Sequence, residues 1–165
     1  MNYYDTISYF EYVQDVMLDK VNEMEKLCWD FEKKTMTNEV KQRLIELNNS
    51  LHYELINYFT LEEDLLFPEL EHVLPSPTST SVMKNEHTAI LQLDHSISEK
   101  LSDTNDLEKN KETLLSTIIS FVDIMQRHIH KKNDVLYHEA SSFLSEKTLN
   151  EIYKKILQKK KITAS

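Results

Sequence analysis

The sequence contains no glycine and only three prolines, Pro68, Pro75 and Pro77. Glycine supplies the left-handed backbone of tight turns and of many helix ends, so its absence argues against a hairpin-rich β architecture. Cys28 is the only cysteine, which rules out a disulfide within the chain. No apolar run is long enough to span a bilayer, and Asp5, Glu11, Asp15 and Asp19 make the first stretch unlike a signal peptide. Cations are outnumbered too: the formal net charge is −9. An acidic surface disfavours a nucleic-acid or anionic-membrane partner. The expectation is a cytoplasmic protein. Only the tail KKILQKKK (154–161) is locally basic, which suits a solvated helix end.

What the sequence does have is Leu, Lys, Glu and Ile in long amphipathic stretches. Its 165 residues suffice for one domain with a sizeable core. The first periodic segment, about 3–33, repeats Ile7, Phe10, Gln14, Met17, Val21, Met24, Cys28 and Phe31 in steps of three and four. Thr37 is placed to cap a second helix, about 38–73. Its seam runs Leu44, Leu47, Leu51, Leu55, Tyr58, Glu62, Leu65 and Glu69, with Leu66 beside it. Pro68 should kink or end that helix. LPSPTSTS (74–81) reads as a loop. A third helix, about 81–101, has the seam Met83, His87, Ile90, Asp94, Ile97, Leu101. SDTNDLEKN (102–110) is a second polar link, with Asn105 or Asp106 as its cap. The fourth helix, about 107–142, has the seam Leu114, Ile118, Phe121, Met125, His128, Lys132, Val135. Ser145 caps a short fifth helix, about 146–160. The fold class that follows is all-α, an up-down-up-down four-helix bundle with a short C-terminal helix.

Apart from Glu69 at the end of its seam, seven polar residues interrupt these apolar seams: Gln14, Tyr58, Glu62, His87, Asp94, His128 and Lys132. A carboxylate on a core-facing stripe costs free energy unless a metal, a cation or hydrogen bonds compensate it. A rise of about 1.5 Å per residue puts Gln14 and Tyr58 each roughly 30 Å from the first link, and Glu62 and Asp94 each roughly 20–24 Å from the second. Groups at compatible levels on four helices point to an internal site. His130, Asp134 and His138 share another stripe, turned outward, and Cys28 reads as packing.

Three stretches resemble the hemerythrin-like, or HHE cation-binding, domains: TLEEDLLFPEL (60–70), MKNEHTAIL (83–91) and RHIHKKNDVLY (127–137). The last is closest to the repair-of-iron-centres branch. The resemblance implies a non-haem di-iron centre, held by about five histidines and two bridging carboxylates. Glu62 matches a bridging carboxylate, and His87 and His128 match histidine ligands. The other positions depart from the pattern: Gln14 is the best-registered residue where a first-helix histidine is missing, Tyr58 replaces a histidine and Lys132 replaces the second carboxylate. A protonated ammonium cannot ligate a metal and repels one.

Three readings stay open. Lys132 fills the site, paired with Glu62 or Asp94, and no metal is bound. Glu62, His87, His128 and Asp94 hold a single Fe(II), Mn(II) or Zn(II), with Tyr58 a candidate phenolate. Or the two-metal centre persists. By resemblance, a metal-bearing chain would bind O₂ or nitric oxide, handle iron or repair iron–sulfur clusters. A metal-free chain would be an interaction module. The protein partner is not specified, and a homodimer stays open. An acid–base enzyme is the weakest case, because nothing resembles a nucleophile–base pair or a phosphate loop.

Overall fold

The computed structural model describes residues 4–33, 37–103 and 109–163. α1 is Tyr4–Lys33, α2 Asn38–Leu61, α3 Phe67–Val73, α4 Thr78–Ser102, α5 Lys111–Lys131, α6 Tyr137–Phe143 and α7 Glu146–Thr163. A π turn, Glu62–Leu66, joins α2 to α3, and a second, Lys132–Leu136, joins α5 to α6. The seven helices therefore make four long rods and one short one. α1 packs on α2 and α5, and α4 packs on the same two, which closes a four-cornered bundle. α7 lies against α1 and the first π turn. Among the described residues no helix is long and apolar enough to cross a membrane.

The seams explain the packing. Every seam residue named on α1 and α4 is buried, as are those of α2 and α5 up to the π turns. α7 adds Leu149, Ile152 and Ile156, and Thr6 Oγ1 donates to the Leu149 carbonyl at 2.7 Å. Thr37 Oγ1 accepts from Val40 N–H at 3.2 Å, and Ser145 Oγ from Thr148 N–H at 3.1 Å, so both caps form. Asn105 and Asp106 lie outside the described residues.

The start of α4, the start of α5 at Lys111 rather than about 107, and the seams beyond the π turns differ from expectation. α4 starts at Thr78, because the Pro77 carbonyl accepts from Ser81 N–H at 3.1 Å and from Thr80 Oγ1 at 2.9 Å. The Ser/Thr run that looked like loop is the first turn of the helix. The seams also shift at the π turns, each of which admits one extra residue. Past Glu62 the buried residues are Leu66, Phe67 and Leu70, while Leu65 and Glu69 are only half-buried. Past Lys132 they are Leu136, Tyr137 and Ala140, and Val135 is turned out, 44% exposed. Pro68, expected to kink or end the second rod, follows the first π turn inside α3. Its ring would clash with the carbonyl four residues back in a regular helix. The second π turn contains no proline. What the two turns share is a buried charged residue at the first position.

Candidate functional site

Those two residues meet. Lys132 Nζ donates to Glu62 Oε1 at 2.6 Å, and neither residue has any solvent exposure. The ammonium also lies 4.3 Å from the centroid of the Tyr58 ring, over its electron-rich face. Burial would raise the Glu62 carboxyl. The Lys132 charge, with the His87 ring beside the carboxylate, outweighs it and holds the group well below the usual range, at about 2. Burial pushes Lys132 down from its ordinary value, and Glu62 opposes that shift.

Two histidines complete the core. His87 Nδ1 lies 2.6 Å from Glu63 Oε1, and His128 Nδ1 lies 2.7 Å from Glu86 Oε2. An ionised carboxylate only accepts, so each ring carries a proton on Nδ1. His87 stacks on Phe59, with centroids 3.7 Å apart, and on Phe67 at 5.6 Å. The His87 and His128 rings lie 5.0 Å apart. His87 Nε2 stands 3.6 Å from Glu62 Oε2, an ion-pair distance if the ring is protonated. Burial, reinforced by the Lys132 charge, pushes His128 down to about 2, so that ring is neutral.

Tyr58 donates to the Phe10 carbonyl at 3.0 Å and is hydrogen-bonded to the Tyr137 hydroxyl. Burial first, and Tyr137 and Glu62 after it, push the Tyr58 hydroxyl well above its ordinary value. In this core Tyr58 is therefore held as a neutral phenol. Tyr137 was not legible as a site residue, because only the π turn brings it onto the seam.

The other expected members lie elsewhere. Asp94 Oδ1 accepts from Asn48 Nδ2 at 3.0 Å, and Asp94 Oδ2 lies 2.6 Å from His52 Nδ1. Ser98 Oγ donates to Asn48 Oδ1 at 2.7 Å. The expected convergence of Asp94 with Glu62 is corrected for a physical reason. His87 rather than Asp94 stands beside Glu62, and Asp94 lies two turns, or about 10 Å, further along α4, whose early start accounts for about one of those turns. Gln14 Nε2 donates to Asn133 Oδ1 at 2.8 Å rather than to the central pair. His130 lies 3.0 Å from Asp134 on an exposed face, as expected. Cys28 is buried, and desolvation pushes its thiol up to about 12, so it packs and does not react.

Glu63 and Glu86 went unassigned in the sequence, although both stand in the stretches that carried the resemblance. Glu86 precedes His87, yet it holds His128 on the next rod. Its other oxygen is ion-paired with Lys131.

A two-iron centre does not fit these residues. Lys132 can only donate, and it stands where a bridging carboxylate would be needed. Among the described residues no group of three or more His, Cys, Asp or Glu side chains is placed to hold a metal ion. Of the five buried side-chain atoms that lack a hydrogen-bond partner among the described residues, three nonetheless belong to this core: Glu62 Oε2, His87 Nε2 and His128 Nε2. Two of them belong to imidazoles anchored through Nδ1 to carboxylates, the arrangement that orients histidine ligands.

Residues 10–140 match the model of the family described as Hemerythrin HHE cation binding domain. None of the curated proteins compared matches the chain.

Proposed function

This chain belongs to the hemerythrin HHE cation-binding family, and we propose that it is a metal-free member acting as an interaction module. The observation that carries this reading is the Lys132–Glu62 pair, 2.6 Å apart and fully buried. Its ammonium supplies the positive charge that Glu62 would otherwise take from a metal. The faces of Tyr58 and Phe59 surround it, with Phe59 at 5.9 Å. A core closed in this way leaves the outer surface to do the work.

The test is metal content by mass spectrometry, on protein made in iron-replete medium and purified without a metal-affinity tag. The expected result is no stoichiometric iron, manganese or zinc, with a melting temperature indifferent to chelator. Stoichiometric metal, lost to chelator together with thermal stability, overturns the reading.

One observation favours a second reading. Glu62 Oε2, His87 Nε2 and His128 Nε2 are unpartnered, and two histidines with one carboxylate are ligand types that suit a single divalent ion, which would have to draw the three side chains together. On this reading the roles are binding O₂ or nitric oxide, iron handling or iron–sulfur repair. The same metal measurement separates the two readings.

A further inference from the structure

Trp29 is the only tryptophan in the chain, and it is 53% exposed. Across from it on α5, Ile119 is 51% exposed. Between them runs a groove of about 250 Å³, floored by Cys28 and Leu115 and lined by two carboxylates, Glu32 and Glu112. Among the described residues no cation lines this groove. On α1, Glu25 lies one turn before Trp29 and Glu32 about one turn after it, both on the Cys28 flank that faces α5. Lys26 and Lys33 fall on the opposite flank of Trp29. The nearest lysine on α5, Lys111, is turned onto the Phe31 ring, 4.6 Å from its centroid. Glu25 accepts from a neutral donor, Gln126 Nε2, at 3.1 Å. The groove is thus apolar at its centre and negative at its ends.

We propose that this α1–α5 groove binds a basic amphipathic helix of a partner protein. Apolar side chains would enter between Trp29 and Ile119, and Lys or Arg a turn away on either side would meet Glu25, Glu32 and Glu112. A large, half-exposed tryptophan is the residue type that dominates binding energy at such contacts. The net charge of −9 favours encounter with a cationic segment and disfavours an anionic one. The proposal rests on the interaction-module reading and adds the chemistry of the partner.

The emission of Trp29 in the full chain reports on the groove directly. The probes are a synthetic amphipathic helical peptide with Leu on one face and Lys on the other, and its counterpart with Glu in place of Lys. The Leu/Lys peptide is expected to blue-shift the emission saturably. Glu32→Lys with Glu112→Lys should weaken it by at least about tenfold. Glu46→Lys with Glu99→Lys makes the same charge change at exposed sites elsewhere and should bind like the parent. Circular dichroism checks that each variant is folded. Equal binding of the Leu/Glu peptide, or equal loss in both double variants, overturns the proposal. So does a blue shift on concentrating the protein alone, because the occupant would then be a second copy. None of these outcomes depends on metal content, so this proposal and the reading of the core fail separately.

Discussion

Lys132 shows why one buried residue can set the character of a core. A buried ion pair gives little net stability over an apolar pair, but removing one partner typically costs about 3–5 kcal/mol, because the other charge is stranded. Lys132→Met should therefore destabilise by roughly that amount in urea unfolding, and adding Glu62→Gln should recover most of the loss. A neutral Lys132→Met would mean that Glu62 is compensated by something other than Lys132. The same residues set the acid limb. His128 is held far below its ordinary 6.5, so below that pH the unfolded chain takes up a proton that the folded chain refuses. Its contribution is complete above about 6.5 and falls as pH drops toward 2, by up to about 1.4 kcal/mol per pH unit. Glu62 is also depressed, so its contribution is complete above 4.5 and is lost as pH falls toward 2. Stability should begin to fall near pH 6.5, and His128→Gln should move that onset toward the carboxylate range. Denaturant midpoints across pH check it; an onset that stays put in His128→Gln would assign the limb to another group.

At the scale of the element, the two π turns decide which side chains face inward. Regular helical spacing carried beyond Glu62 and Lys132 gives Leu65 and Val135, and each turn moves the seam on by one residue, to Leu66 and Leu136. Periodicity revealed the helices because their interiors are regular. It could not reveal a one-residue slip, since Leu65 and Leu66, or Val135 and Leu136, are equally apolar. Tyr137 was missed for the same cause, and Phe67 reaches His87 by the same slip. The slip is directly measurable. Leu136→Ala should cost about 2–5 kcal/mol, as a fully buried leucine does, while Val135→Ala should stay within about 0.5 kcal/mol. Urea unfolding of the two variants checks the register, and the reverse order would restore an unbroken α-helix.

At the scale of the whole molecule, the four rods and the short C-terminal helix were legible because each seam is a long repeat and each link is polar. The site was legible in its members on α4, α5 and the first π turn: His87, His128 and Glu62. Its levels were not, because they depend on where α4 starts and on the two π turns. Asp94 accordingly belongs to the Asn48–His52–Ser98 cluster, two turns away, and Gln14 to Asn133. This geometry sets which positions favour a metal and which oppose one. Glu62 Oε2, His87 Nε2 and His128 Nε2 already lack partners. Lys132 and Tyr58 are the two positions whose chemistry opposes a cation, the one by charge and the other because its hydroxyl stays protonated against Phe10 and Tyr137. Lys132→Glu with Tyr58→His would replace a repelling charge with a carboxylate and add an imidazole beside the three unpartnered donors. The double variant should bind more iron than the parent. Its melting temperature should then depend on iron, with about 2.7 kcal/mol of stabilisation when free metal is a hundredfold above the dissociation constant. Each single substitution should gain less, since Lys132→Glu alone sets a second carboxylate beside Glu62 and Tyr58→His alone leaves the ammonium in place. Iron analysis and chelator-sensitive melting of the three variants check this. If the double variant stays folded but takes up no iron, then Lys132 and Tyr58 are not the positions that keep metal out.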